Sequence, residues 1–139
     1  MSIRWEHFSH EADMGLRGYG QTMAQAFEQV ALALTATVTE LDRVAPQQRV
    51  DIDCECADPE LLLVDWLNAL IYEMATRKLL FSRFEITIEG GRLDASAWGE
   101  MVNRSRHRPA VEVKGATYTA LQVAQQENGD WLAQCIIDV

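Results

Sequence analysis

Residues 50–71, VDIDCECADPELLLVDWLNALI, change from one periodicity to another. In the first seven residues apolar side chains alternate with acidic ones, which is typical of a half-buried strand. Asp58 and Pro59 then fit the N-cap and first position of a helix, and Glu60 suits its first turn. Because the apolar residues that follow cover more than one narrow stripe, the stretch predicts a strand followed by a helix to about Lys78, largely buried against a sheet.

The remaining elements follow from the same signals. Thr22 and Gln25 fit a capping box at the start of an amphipathic helix that runs to about Glu40. Alternating and β-branched residues predict further strands, and Gly90-Gly91 and Asn128-Gly129 predict tight hairpin turns. We therefore expect one α+β domain over residues 1–139, with two amphipathic helices on one side of mainly antiparallel β-sheet. The expected strands are 3–8, 14–19, 50–56, 84–89, 92–97, 111–114, 117–125 and 131–139.

Composition limits the possible partners. The chain has 21 acidic residues against 12 Lys and Arg, giving a formal net charge of -9. This charge repels phosphate backbones, so it disfavours uniform binding to nucleic acid and favours a cation or a basic protein. No apolar stretch approaches the roughly 20 residues that span a bilayer, and the first residues lack the apolar core of a signal peptide. We expect a cytoplasmic protein with no membrane partner.

Three cysteines without framework spacing predict free thiols. Cys54 and Cys56 lie at the apolar positions of the alternating strand, where cysteine packs as a small hydrophobe. A structural zinc site usually needs four ligands, and no second Cys/His pair is spaced to complete one. Packing is therefore favoured over a zinc or redox role.

Two acidic signatures stand near the ends of the sequence, His10-Glu11-Ala12-Asp13 and Asp138-Val139. A fold that brought Asp13 beside Asp138 and the α-carboxylate of Val139 would gather the hard oxygen groups that calcium and magnesium prefer. The residues alone leave alternatives open. Asp13 can cap a turn, Asp138 can be solvated, and His10 can orient Asp13, carry a proton or make a structural hydrogen bond.

The basic stretch 104–108 has two interpretations. Arg104, Arg106, His107 and Arg108 could hold a phosphate or an acidic partner surface, or they could form a solvated loop. Lys114 is better explained as an exposed strand lysine than as a catalytic one. Because no nucleophile elbow or HExxH motif is present, we predict no catalytic residue, which favours a helper protein over an enzyme.

Four motifs, taken together and in order, resemble the archease family over nearly the whole chain. They are His10-Glu11-Ala12-Asp13 with Gly15, Glu60-Leu61-Leu62 leading to Trp66-Leu67-Asn68, Glu112-Val113-Lys114 with Thr117-Tyr118, and Asp138-Val139.

The resemblance implies an archease-like fold and an accessory role. The expected function is activation of a GTP-dependent RtcB-type RNA ligase in tRNA splicing or RNA repair, by promoting ligase guanylylation and multiple turnover. RNA or nucleotide would be met through the ligase. The alternative is a chaperone-like binding module that modulates a tRNA-modifying enzyme. Apart from the resemblance, a third interpretation is a small metal-dependent hydrolase with His10 as base. The oligomeric state is left open.

The resemblance also implies site residues. The family's divalent cation, expected to be calcium, maps onto Asp13, Asp138 and Val139. Activation maps onto His10, Asp13 and Lys114. The chain departs from the family pattern at three positions: Ser9 replaces an aspartate, Gly115 an alanine and Thr119 a histidine.

Overall fold

The computed structural model describes residues 3–139. Its helices are α1 (Met23–Val38), α2 (Pro59–Arg77) and the short α3 (Arg104–His107), and a 3₁₀ turn, Leu41–Arg43, follows α1. Its strands, in chain order, are β1 (Arg4–His10), β2 (Asp13–Gly20), β3 (Gln48–Glu55), β4 (Leu79–Glu89), β5 (Arg92–Met101), β6 (Gly115–Ala116), β7 (Gln122–Gln125) and β8 (Trp131–Asp138).

The strands form two antiparallel sheets. Sheet A has the order β1-β2-β8-β6, and β7 also pairs with β8. Sheet B has the order β3-β5-β4. The predicted α+β class, with antiparallel pairing and two long helices, is confirmed. The division into two sheets places the first and last strands of the chain in the same sheet.

Helix α1 packs between the two sheets. On the sheet A side, His7 Nε2 lies 2.8 Å from the Ala33 carbonyl oxygen. On the sheet B side, the buried Thr35 hydroxyl donates to the Phe81 carbonyl at 2.6 Å. Helix α2 joins the same core, where the largest fully buried side chains include Trp66, Phe27, Phe81, Leu16, Leu34 and Leu67. The helices therefore cover the inner face of each sheet.

Both long helices begin and end as the sequence signals require. The Thr22 side chain accepts a hydrogen bond from the Gln25 amide, and the Gln25 side chain reaches back to the amide of Gln21. Asp58 accepts from the Glu60 amide at the start of α2. Lys78 ends α2 in the left-handed conformation, at φ 57°, which glycine more often adopts.

The predicted turns are largely observed. Gly90 and Gly91 have φ values of +57° and +79° and form a two-residue turn between β4 and β5. Of the second predicted pair, Gly129 has a positive φ, +90°, in the turn between β7 and β8, and Asn128 does not. A five-residue connection, with the Asp130 amide donating to the Asn128 side chain, replaces the expected tight turn.

The segment between β5 and β8 differs most from the prediction. The expected strand 111–114 is irregular, because the Ala110 amide bonds to the end of α1 at Val38, and the Lys114 amide bonds to Asp138. The expected strand 117–125 is reduced to β7, since Ala120 adopts φ 52° and breaks the extended run before it. Both differences arise from long-range hydrogen bonds and a local kink that alternation does not encode.

None of the helices in the described range is long and apolar enough to span a membrane.

Candidate functional site

The hairpin of β1 and β2 brings His10 beside Asp13. The two residues form a cross-strand pair, with Glu11 and Ala12 as the two-residue turn between them. Glu11 has φ 55°, in the left-handed region that costs a residue with a side chain about 1–2 kcal/mol. The turn thus holds the first signature in a defined and locally strained geometry.

Asp138 occupies the neighbouring position on β8. Strands β2 and β8 are paired up to Met14 and Ile137, and Asp13 and Asp138 are the next residues along the two strands. Residues opposite one another in an antiparallel sheet have Cα atoms roughly 4.5–5.5 Å apart and share a face. The two acidic signatures therefore lie at the same end of sheet A.

Lys114 reaches this end of sheet A through its backbone. Its amide donates to the Asp138 carbonyl at 2.8 Å, and Gly115 pairs with Asp138 in the sheet. The side chains of Lys114 and Asp138 are exposed, whereas His10 and Asp13 are half-buried. This end of the sheet is accessible to an external partner.

The residues that lie beside Asp13 on the same face of sheet A were not predicted from the sequence. Gly15 pairs with Phe8, and a Cβ at Gly15 would overlap the Phe8 ring, so the ring lies across the glycine. The Arg17 guanidinium carbon is 4.4 Å from the Phe8 ring centroid. Arg17 also donates to Glu6 at 2.7 Å and to Gln134 at 2.8 Å. A glycine within a strand is the available sequence signal, because such glycines often mark close approach of another group.

Charge pairing in this layer fixes the position of Arg17. The pKa of the Glu6 carboxyl lies below its usual value, chiefly because Arg17 donates to it, and Arg4 and Tyr19 also donate hydrogen bonds. An ionised Glu6 holds the Arg17 guanidinium over the Phe8 ring. The surface beside the two aspartates is thus ordered by its own contacts.

The oxygen donors at the end of sheet A are of the type that a hard cation prefers. Asp13 and Asp138 offer carboxylate oxygens, and Val139 adds a main-chain oxygen. Within residues 3–139, however, no group of three or more His, Cys, Asp and Glu side chains is arranged to hold a metal ion. Calcium takes six to eight oxygen ligands. These residues would supply a minority of the shell, with the remainder from water or a partner.

The basic stretch divides into paired and unpaired groups. His107 is buried; its Nδ1 accepts from the Asn103 amide and its Nε2 lies 3.0 Å from a Glu100 carboxylate oxygen. Arg106 donates to the other Glu100 oxygen at 2.6 Å. Both side chains therefore anchor α3 to the end of β5, and the His107 imidazole is withdrawn from the surface. Arg104 and Arg108 remain exposed and form no ion pair with a residue of the described range.

The cysteine thiols behave as packed groups. Burial raises the pKa of Cys135 to about 11, and burial together with nearby Asp65 and Asp53 raises the pKa of Cys54 to about 11. Both thiols are protonated at neutral pH and are poor metal ligands or nucleophiles in that state.

Known proteins resemble this chain over almost its whole length. Residues 5–139 match the family described as "Archease protein family (MTH1598/TM1083)". The chain belongs to the archease family. Proteins named "Protein archease" from Pyrococcus abyssi, Pyrococcus furiosus and Thermococcus gammatolerans are 36%, 37% and 38% identical to it, and each alignment covers 98% of this chain and 99% of the relative.

A solved structure confirms the archease-like fold. The solution structure of Methanobacterium thermoautotrophicum protein 1598 superposes with a TM-score of 0.85 at 29% identity, covering 97% of this chain and 98% of that one. The archease-family match includes His10, Asp13, Lys114, Asp138 and Val139. All the residues that the resemblance assigns thus lie within the matched range.

Proposed function

We propose that this archease-family chain is an accessory activator, not itself an enzyme, of a GTP-dependent RtcB-type RNA ligase. It would promote guanylylation of the ligase and repeated turnover in tRNA splicing or RNA repair. The observation that carries the proposal is the placement of Asp13 and Asp138 at the same end of adjacent strands, with the Lys114 amide bonded to the Asp138 carbonyl. Family membership supports it, because the match over residues 5–139 covers all four motifs whose resemblance implied this role.

The chain's residues would act by binding and orienting groups in the ligase pocket. The row of Asp13 and Asp138 presents negative charge at an open sheet end, and Lys114 presents an exposed positive charge beside it. Such a pair of opposite charges can align a cation and an anionic nucleotide with respect to one another. Holding reactants in an attack geometry lowers a barrier by several kcal/mol, through proximity and preorganised charge.

A divalent cation, which we propose is calcium, would be held by Asp13, Asp138 and the main-chain oxygen of Val139. When bound it would neutralise phosphate charge on the nucleotide. Because these residues provide few ligands, the site would be completed at the contact with the ligase. Arg17, fixed by Glu6 and Gln134, would border that contact on the same face of sheet A.

A guanylylation assay with purified ligase tests the proposal. We expect Asp13→Ala and Asp138→Ala each to lose most of the stimulation of ligase guanylylation and turnover. Asp53→Ala is the matched control, because it removes one exposed carboxylate from the outer face of sheet B and should stimulate like wild type. Undiminished stimulation by both site variants would refute the proposal.

The alternative function, a chaperone-like module that modulates a tRNA-modifying enzyme, is favoured by exposed apolar side chains. Tyr72 and Tyr118 are 64% and 68% exposed, and Met101 is 52% exposed. Stimulation that survives both aspartate variants but is lost in Tyr72→Ala would support this alternative. Turnover of a substrate by the isolated chain would instead support the hydrolase interpretation.

A further inference from the structure

An apolar groove lies between the second half of α2 and the segment 109–113. It encloses about 490 Å³, within the roughly 300–1,000 Å³ of ligand-binding pockets. Its walls are mostly aliphatic and include Ile71, Met74, Ala75, Leu80, Val111 and Val113. We call this the α2 groove.

The cover of the α2 groove is attached mainly at its ends. The Ala110 amide donates to the Val38 carbonyl at 2.8 Å, and the Lys114 amide donates to Asp138 at 2.8 Å. Between these two bonds the chain has no helix or strand, and Val111 is 37% exposed. A cover of this kind can shift to admit a bound group at low cost in broken hydrogen bonds.

Unpaired positive charge is concentrated around the α2 groove. Eight of the twelve basic side chains, Arg4, Arg17, Arg43, Arg49, Arg77, Arg83, Arg92 and Arg106, form ion pairs with acids. The four without an ion pair in the described range are Arg104, Arg108, Lys78 and Lys114. Lys78 and Arg104 line the groove together with one acidic residue, Glu112, and Arg108 and Lys114 adjoin its cover in the sequence. In a chain of net charge -9, this is a local site of attraction for an anion.

We propose that the α2 groove is a docking site for a protein segment that carries apolar side chains with acidic residues beside them. The aliphatic walls suit leucine-like anchors, and the free cations suit carboxylates at the rim, which is the arrangement by which grooves recognise amphipathic helices. A nucleic acid fits less well, because the groove lining contains no aromatic side chain on which a base could stack.

Docking here would act on the candidate site through the cover. The Ala110 and Lys114 amides are four residues apart along the chain and so at most about 14 Å from one another, and each is bonded at 2.8 Å to its partner, Val38 at the end of α1 and Asp138 of β8. A segment inserted under residues 109–113 displaces the backbone that ends at Lys114. This coupling rests on the proposed function, whereas the docking site itself does not.

Titration of the ¹⁵N-labelled chain with a synthetic helical peptide tests the docking site. The peptide has leucines along one face and glutamates beside them; a second peptide replaces the glutamates with lysines, and a short RNA oligonucleotide serves as the third probe. We expect saturable amide shifts with the glutamate peptide at Val38, at residues 71–80 and 102–114, and at Asp138, whose carbonyl is bonded to the Lys114 amide. Binding by the RNA without the glutamate peptide, equal binding of both peptides, or shifts located elsewhere would each overturn the proposal.

Two variants and one control make the test specific. Lys78→Glu should weaken the glutamate peptide by about fivefold to tenfold, since one exposed ion pair becomes a repulsion, and should improve the lysine peptide. Ala75→Trp should block both by filling the groove. Arg83→Glu makes the same charge change on the outer face of sheet B and should bind like wild type. If Lys78→Glu and Arg83→Glu weaken binding of the glutamate peptide equally, the effect comes from net charge alone and the proposed site is wrong.

The same titration separates this proposal from the ligase proposal. Ala75→Trp leaves Asp13 and Asp138 in place. If the ligase proposal is right, this variant should still bind calcium even when it no longer binds the peptide. Conversely, Asp13→Ala should leave peptide binding unchanged. Thermal unfolding of each variant confirms that lost binding does not reflect lost folding.

Discussion

Replacing Glu11 by glycine should stabilise the protein, although it removes a side chain. Glu11 is the first residue of the turn between β1 and β2 and has φ 55°. In that region a side chain clashes with the following carbonyl, which glycine avoids. Its neighbour Ala12 has no positive φ, so substitution by glycine should have opposite effects on stability at the two positions.

The expected magnitudes follow from two opposing effects. Relief of the left-handed conformation gains about 1–2 kcal/mol in the folded state. The greater freedom of glycine in the unfolded state costs about 0.4–1 kcal/mol. Glu11→Gly should therefore raise the free energy of unfolding by roughly 0.5–1 kcal/mol, whereas Ala12→Gly should lower it by about the same amount. For a chain of this length the two melting temperatures should differ by several degrees.

Urea and thermal unfolding of the two variants provide the measurement. Glu11→Gln is the control for charge, because it keeps the strain and removes the carboxylate, so it should melt close to wild type. If Glu11→Gly and Ala12→Gly destabilise the protein equally, Glu11 is not strained in solution and the defined turn geometry at His10 and Asp13 is wrong.

Three further results are expected. Gly15→Ala should destabilise the protein by about 1–2 kcal/mol, because the Phe8 ring must leave its position over the glycine; urea unfolding of the double variant with Phe8→Ala should show that most of this cost disappears. Glu100 has a pKa below its usual value, first because the Ala45 amide donates to it. Its contribution to the free energy of unfolding is therefore full above about pH 4.5 and is lost as the pH falls through its folded pKa. Urea unfolding at a series of pH values should show that Glu100→Gln loses about 1–3 kcal/mol at neutral pH and has a flatter dependence of stability on pH below about 4.5. Calcium titration by calorimetry should show weaker binding to Asp138→Asn than to wild type, with Asp53→Asn unchanged, and equal heats in all three would contradict the proposed cation site.

Much of the fold could be predicted because local signals and tertiary packing agree. The cap at Thr22, the Asp58-Pro59 start and the Gly90-Gly91 turn each specify a backbone geometry that the structure contains. Alternation in residues 50–55 also agrees with the observed strand, since the sheet buries only one of its faces. Each of these elements is specified by residues that lie close together in the sequence.

The segment after β5 could not be predicted because its backbone partners are remote. Ala110 bonds to Val38, 72 positions earlier, and Asn68 of α2 accepts a hydrogen bond from the Ala116 amide at 3.0 Å. Such bonds replace the strand ladder that the β-branched residues suggest. Within the site, His10 and Asp13 were predictable as a pair from their spacing, whereas Arg17 was not, because its role depends on a ring lying across Gly15.

Both lysines of the chain lie at the two proposed surfaces. The chain has only two lysines, Lys78 and Lys114, and neither forms an ion pair with a residue of the described range. Ion pairing could have neutralised both, since acids outnumber bases by 21 to 12. Instead one lysine lines the α2 groove and the other adjoins Asp138, with the 109–113 segment connecting the two regions. An acidic segment bound at Lys78 would place the rest of its protein near Asp13 and Asp138 of sheet A. Because these carboxylates carry the opposite charge to Lys78, the two surfaces together would fix the orientation of the partner.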